Sequence, residues 1–126
     1  MSYSINYDEM GFIRLTYEGD ANLSDMKEVL SHGALLAAEK SCFRVLSDFR
    51  AMKLDLSVME LFRIPENQKE QSRELKMHFA KFRRVVVVPE RDFNKYKFFE
   101  NVAVNRAHRV KIFTDIEEAI EWLLEK

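Results

Sequence analysis

Residues 83–89 read RRVVVVP, and the reading of this run decides the fold. An antiparallel strand with one wet face alternates apolar and polar residues. Val85 to Val88 do not alternate, which is the pattern of a central strand covered on both faces, as in a parallel sheet. Pro89 stops the run. It is far shorter than the ~20 apolar residues a helix needs to cross a bilayer, and no run elsewhere approaches that length, so no membrane span is expected.

Downstream of this strand, ERDFNKYKFFENVAVNRA (90–107) puts Phe98, Phe99, Val102 and Ala103 on one helical stripe, with Lys95, Lys97 and Asn101 elsewhere. Val110, Ile112 and Phe113 then predict another strand. Thr114 with Glu117 has the spacing of a capping box for a last helix carrying Ile116, Ile120, Trp122, Leu123 and Leu124. Upstream, IPENQKEQSRELKMHFAKF (64–82) predicts one kinked helix or two short ones, with Pro65 at a first turn or a break. Before it, Phe43, Val45 and Leu46 form a short apolar strand ending at Asp48, and Ser57 with Glu60 caps the helix that follows.

The start of the chain alternates differently. Tyr3, Ile5 and Tyr7 share one face, DEMG offers a turn, and Ile13, Leu15 and Tyr17 alternate as far as Glu18, which predicts a β-hairpin. Asn22 or Ser24 then caps a helix with Leu23, Met26, Leu30, Leu35 and Ala38 at helical spacing, ending near Lys40. The order that results is an α/β one: a mixed, mostly parallel five-stranded sheet opened by a hairpin, with four main helices and right-handed βα crossovers. Nothing in the chain reads as a linker, repeat or low-complexity segment, so residues 1–126 are expected to form one domain.

Composition agrees with a folded domain: 47% hydrophobic and 33% charged residues in 126, with three Gly and two Pro. A formal charge of −1 supplies no basic field for nucleic acid or an anionic membrane. The lone cysteine, Cys42, has no internal disulfide partner, and MSYSINYDEMG has no export signal, so the expected compartment is the cytoplasm.

The hairpin, VLSDFR (45–50) on a strand, VVVVP followed by KYKFFENVA (95–103), and the closing VKIFTDIEEAIEWL (110–123) together resemble the SpoIIAA-like fold. That fold includes STAS domains and, more distantly, CRAL-TRIO lipid-transfer domains. The nearest resemblance is to bacterial STAS-like proteins of about this length, and it implies a right-handed superhelix of strand and helix turns. It also implies a regulatory role, because anti-sigma-factor antagonists carry a phosphorylated Asp-Ser at the turn after the corresponding strand. Asp48 matches the Asp there, but Phe49 stands at the serine's place; Ser47 precedes the Asp and Ser57 caps the next helix, so neither serine takes the acceptor position.

No catalytic constellation is evident. His32, His78 and His108 fall in three different elements without metal-ligand spacing, Cys42 has no neighbouring base, and no phosphate loop, nucleophile elbow or paired-carboxylate motif is present. The expectation is a protein that is not an enzyme and needs no cofactor or metal. In parallel α/β sheets ligands meet the carboxyl ends of the strands. Asp48 and Arg50 follow one strand there, and Arg91 and Tyr96 follow the next, which makes these four the candidate binding residues. The simpler alternative is an ion pair joining the two loops through Asp48 or Asp92 and Arg50 or Arg91.

Charge is also uneven. Lys69 to Arg84 is basic, whereas the last helix carries Asp115, Glu117, Glu118, Glu121 and Glu125. Such patches suit self-association as a homodimer or a charged protein partner, or are simply solvated helix faces. Two functions remain: a STAS-like protein-interaction module, or a small carrier for an apolar ligand with Phe62, Met77, Phe79, Phe93 and Phe98 lining a pocket.

Overall fold

The β-hairpin forms as expected in the computed structural model, which describes residues 2–21, 23–54, 82–105 and 109–125. Strand β1 (Ser2–Asp8) pairs antiparallel with β2 (Phe12–Ala21), in register from Ser2 opposite Glu18 to Asp8 opposite Phe12. The turn is fixed by Asp8, whose carbonyl accepts from the Gly11 amide at 2.9 Å and whose Oδ1 accepts from the Met10 amide at 2.9 Å. Gly11 adopts φ +98°, a left-handed conformation that a residue with a Cβ rarely takes.

Helix α1 (Leu23–Lys40) carries the chain to β3 (Arg44–Leu54), parallel to β2. It ends in a left-handed cap at Ser41, φ +50°, with the Cys42 amide donating to Ala37 O at 2.9 Å and the Ser41 amide to Ala38 O at 3.3 Å. Its buried side is Val29, Gly33, Ala34 and Ala37, and Leu35, expected in the core, is 56% exposed. The neighbouring pairs Leu35-Leu36 and Ala37-Ala38 each give an apolar stripe whichever member faces inward, so the pattern alone does not set the rotation of the helix.

The valine run becomes β4 (Arg83–Val87), parallel to β3, and β5 (Arg109–Phe113) lies parallel beside it, for the sheet order β1-β2-β3-β4-β5. Both faces of β4 are covered, as its unbroken apolar pattern requires. Val86 and Val88 pack with Leu15, Tyr17, Phe49, Val110 and Ile112 against Val29 of α1 and Tyr96 of α2 (Phe93–Asn105). Val85 and Val87 pack with Phe12 and Leu46 against Ala119 and Leu123 of α3 (Ile116–Leu123). These are three of the four expected helices; the fourth falls in 55–81, outside the described residues, together with Ser57, Glu60, Pro65, His78 and most of the basic segment.

Two local expectations are corrected. The cap of α3 is Asp115 rather than Thr114: its Oδ1 accepts from the amides of Glu117 at 2.8 Å and Glu118 at 3.2 Å. Strand β3 does not end at Asp48 but runs on to Leu54, paired with β2 from Glu18 opposite Ala51 to Ala21 opposite Leu54 after a register shift between Thr16 and Glu18. Asp48, opposite Val87, is the last residue of β3 that pairs with β4. The Asp48-Phe49 step therefore lies inside a strand, with Phe49 6% exposed in the core, and is not the turn after it.

Candidate functional site

Because β3 outruns β4, the sheet opens at its carboxyl edge. Past β4 the chain turns through Pro89 and a 3-10 turn (Glu90–Asp92) into α2. The overhang of β3 and this turn flank an open cleft of about 470 Å³, lined by Arg50, Ala51, Met52, Lys53, Arg91 and Asp92. Two chain segments that share no ladder thus face each other across a space where side chains, not backbone pairing, decide what fits.

Three of the lining side chains are cations and one is an anion, and Asp48 behind Arg50 adds a second carboxylate, so the cleft carries an excess of one positive charge. Arg50 is held by Asp48, its neighbour on the same strand face. The Arg50 Nε donates to Asp48 Oδ1 at 2.9 Å and Nη2 to Oδ2 at 2.8 Å, a bidentate pair, while the Arg50 amide also donates to Oδ1 at 3.2 Å. Burial pushes the Asp48 carboxyl up, but the hydrogen bonds and charge of Arg50, with a further contribution from Arg14, hold it below its ordinary value. The same hydrogen bond holds the Arg50 guanidinium above its usual range. Arg91 is 70% exposed and pairs loosely with Asp92 at 3.7 Å.

Of the four residues singled out from sequence, Arg50 and Arg91 share the cleft and Asp48 stands behind Arg50. Tyr96 does not belong with them: it is 3% exposed, packed in the core, with Phe49 6.4 Å away between ring centres. Burial, and then Asp92, push its hydroxyl well above the usual tyrosine range. Tyr96, named from sequence as a binding residue, turns inward because the buried side of α2 runs through Tyr96 and Glu100, with Phe93 packed partly behind, and the glutamate at that position hides the stripe in the sequence. Lys97 reaches Glu100 Oε2 at 2.5 Å, which makes its burial tolerable. The anticipated ion pairs are present, but each lies within one segment, Asp48 with Arg50 and Arg91 with Asp92, and neither joins the two.

Lys53 was not foreseen. The signal for it is the alternation of Ala51 and Lys53 with Met52 and Leu54, which continues a period of two past Asp48. Among the residues expected to line an apolar pocket, Phe93 packs partly buried against the core, and Phe62, Met77 and Phe79 lie outside the described residues.

Elsewhere, no group of three or more His, Cys, Asp or Glu capable of holding a metal ion occurs among the described residues. Cys42 is a free thiol turned toward the carbonyls of Gly11 at 3.5 Å and Arg44 at 3.8 Å. No described helix is long and apolar enough to cross a membrane.

Comparison with known proteins gives one consistent answer. The SpoIIAA-like family model matches residues 12–124. Two solved structures share the fold. One is an uncharacterised protein of the DUF3478 family with a SpoIIAA-like fold from Shewanella loihica PV-4, at 15% identity and TM-score 0.54, covering 97% of this chain and 92% of that one. The other is the anti-sigma factor antagonist SpoIIAA in its unphosphorylated form, at 12% identity and TM-score 0.53, covering 97% of each chain. No curated protein matches.

Proposed function

This chain belongs to the SpoIIAA-like family, and from that premise we propose that it is a non-enzymatic regulatory module, one domain over residues 1–126, that binds a protein partner in the cytoplasm. The observation that carries this reading is the positive cleft where β3 outruns β4. Arg50 enters it already immobilised by Asp48, so less side-chain freedom is lost when a partner carboxylate meets it, and exposed arginines are prominent among the residues that dominate interface energetics. The unpaired Cys42 is in keeping with a reducing compartment.

The test is capture with tagged protein from native lysate, comparing wild type with the double variant Lys53→Glu and Arg91→Glu, which leaves the Asp48–Arg50 pair in place. A partner retained by wild type and lost by the variant, at unchanged melting temperature, supports the cleft. An identical set of captured proteins would remove it as the recognition surface.

A phosphorylation-gated form of this module is favoured by the length of β3. The resemblance places the acceptor in the turn after the strand. The described part of β3 reaches Leu54, three residues before Ser57 in the sequence, which supports reading Ser57 rather than Phe49 as the acceptor. On this reading Ser57→Asp loses the captured partner and Ser57→Ala keeps it. Equal capture by both variants would leave the module without a switch at this position.

A further inference from the structure

The two edges of the sheet, β1 and β5, are treated very differently. An edge strand exposes unpaired N–H and C=O groups to any other chain, and natural sheets guard their edges with lysine, proline, bulges or short strands. Strand β5 is short and carries Arg109 and Lys111, with the Lys111 ammonium 5.3 Å from the Phe113 ring centre. Strand β1 has none of these guards. From Ser2 to Tyr7 it contains no charge and no proline, and its register with β2 runs without a bulge. Among the described residues its backbone hydrogen bonds go only to β2 and to Gly11 of the turn.

We infer that the free edge of β1 pairs antiparallel with β1 of a second copy of this chain, about a two-fold axis at Ile5, so that one sheet continues through both subunits. Antiparallel pairing closes after two copies, whereas head-to-tail pairing would propagate. The strand suits itself as a partner. A two-fold at Ile5 sets Tyr3 beside Tyr7 of the partner subunit and Ser4 beside Asn6 of the partner subunit. Cross-strand aromatic pairs then form on the face where Tyr3 and Ile5 already pack against the core, and small polar pairs form on the open face. Asp8, the strand's one charge, lies at the opposite end from Asp8 of the partner subunit, so like charges stay apart. Tyr7, 43% exposed with the Lys40 ammonium 5.9 Å from its ring centre, supplies apolar area that pairing would cover. This surface is independent of the cleft, because β1 borders only β2.

Sedimentation over a range of concentrations, with thermal melts in parallel, tests the inference. Ser4 and Asn6 are exposed on the open face, so substitutions there leave the core intact. Wild type is expected to reach twice the mass of one chain. The double variant Ser4→Lys and Asn6→Lys opposes lysines across the two-fold and should remain a single chain at concentrations where wild type is fully paired. The double variant Ser4→Glu and Asn6→Lys opposes unlike charges and should pair as wild type does. A wild type that stays a single chain at all concentrations, or a double-lysine variant that still pairs, would overturn the inference. Loss of pairing in both variants would overturn the axis at Ile5.

Discussion

Asp48 and Arg50, two residues apart on the same face of β3, form a bidentate ion pair at the point where β4 stops and β3 continues alone. The carboxylate is only 13% exposed and the guanidinium 48%. Water therefore screens the arginine's side of the pair, and its worth is nearer that of a surface bridge than of a buried one.

This pair sets an acid dependence. The folded-state pKa of Asp48 lies below its ordinary value of 3.8. A proton therefore binds the unfolded carboxyl at a higher pH than the folded one, and acid favours unfolding. The stabilisation is complete at neutral pH, persists down to the ordinary carboxylate range, and is lost as pH falls through the folded value. Asp48→Asn should cost about 0.5–1 kcal/mol at pH 7. Denaturant titrations from pH 7 to pH 2.5 should show that deficit closing in acid, and a deficit constant with pH would mean that the ionised pair is not its source.

A second prediction concerns a hydroxyl without a partner. Tyr17 is fully buried, its ring stacked on Tyr3 at 5.9 Å and edge-on to Phe49 at 5.6 Å, and its Oη has no hydrogen-bond partner among the described residues. Burial, then the charges and groups at Asp25, Tyr3 and Glu28, push its pKa well up. A buried polar atom left unpaired costs about 1–3 kcal/mol, so Tyr17→Phe, which keeps both ring contacts, should leave stability unchanged or raise it by about 1 kcal/mol. A clear loss in urea unfolding would show that the hydroxyl is bonded in solution.

What the sequence revealed of this architecture, and what it hid, follows from the range of the interactions involved. The hairpin and β4 were legible because each depends on its own pattern: alternation about Tyr3, Ile5 and Tyr7, and four valines that fit only a doubly covered strand. The overhang of β3 was not, because Arg50, Ala51 and Lys53 are polar or small for the very reason that β4 no longer lies beside them. Arg50 and Arg91 could be placed at the carboxyl edge from topology alone. The inward turn of Tyr96 is set by how α2 rotates against Phe49, which a stripe interrupted by Glu100 does not encode.

A third prediction comes from backbone geometry at the end of α1. Ser41 holds φ +50°, and both hydrogen bonds of the cap depend on that turn. A residue with a Cβ is strained there, while glycine is not. Ser41→Gly should therefore stabilise the domain by about 0.5–1 kcal/mol, the larger freedom of glycine in the unfolded chain offsetting part of the gain. A raised melting temperature with unchanged far-UV circular dichroism is the expected result, and a lowered one would mean that the serine is not strained at this cap.

The last prediction concerns how the end of α3 is held. Arg83, at the end of the basic segment, meets the last helix, far from it in sequence, inside one molecule. The Arg83 guanidinium carbon lies 3.9 Å from the Trp122 ring centre, and its Nη2 and Nε donate to the Trp122 carbonyl at 2.7 and 3.1 Å. Glu125 approaches the same guanidinium at 3.5 Å, and Arg44 reaches the carbonyls of Leu124 and Glu125, both at 3.4 Å. Cations at a helix C-terminus satisfy carbonyls left without intrahelical donors and oppose the negative end of the dipole. Arg83 does this while also stacking on an aromatic face, which a flexible ammonium does poorly. Arg83→Ala should cost about 1–2 kcal/mol. Arg83→Lys, which keeps the charge but not the planar fork, should recover less than half of that. Trp122 is the only tryptophan in the chain, so its fluorescence during denaturant unfolding reports on this contact without a label. Full recovery by lysine would show that charge alone holds the helix end, and the stacked fork would then have no separate role.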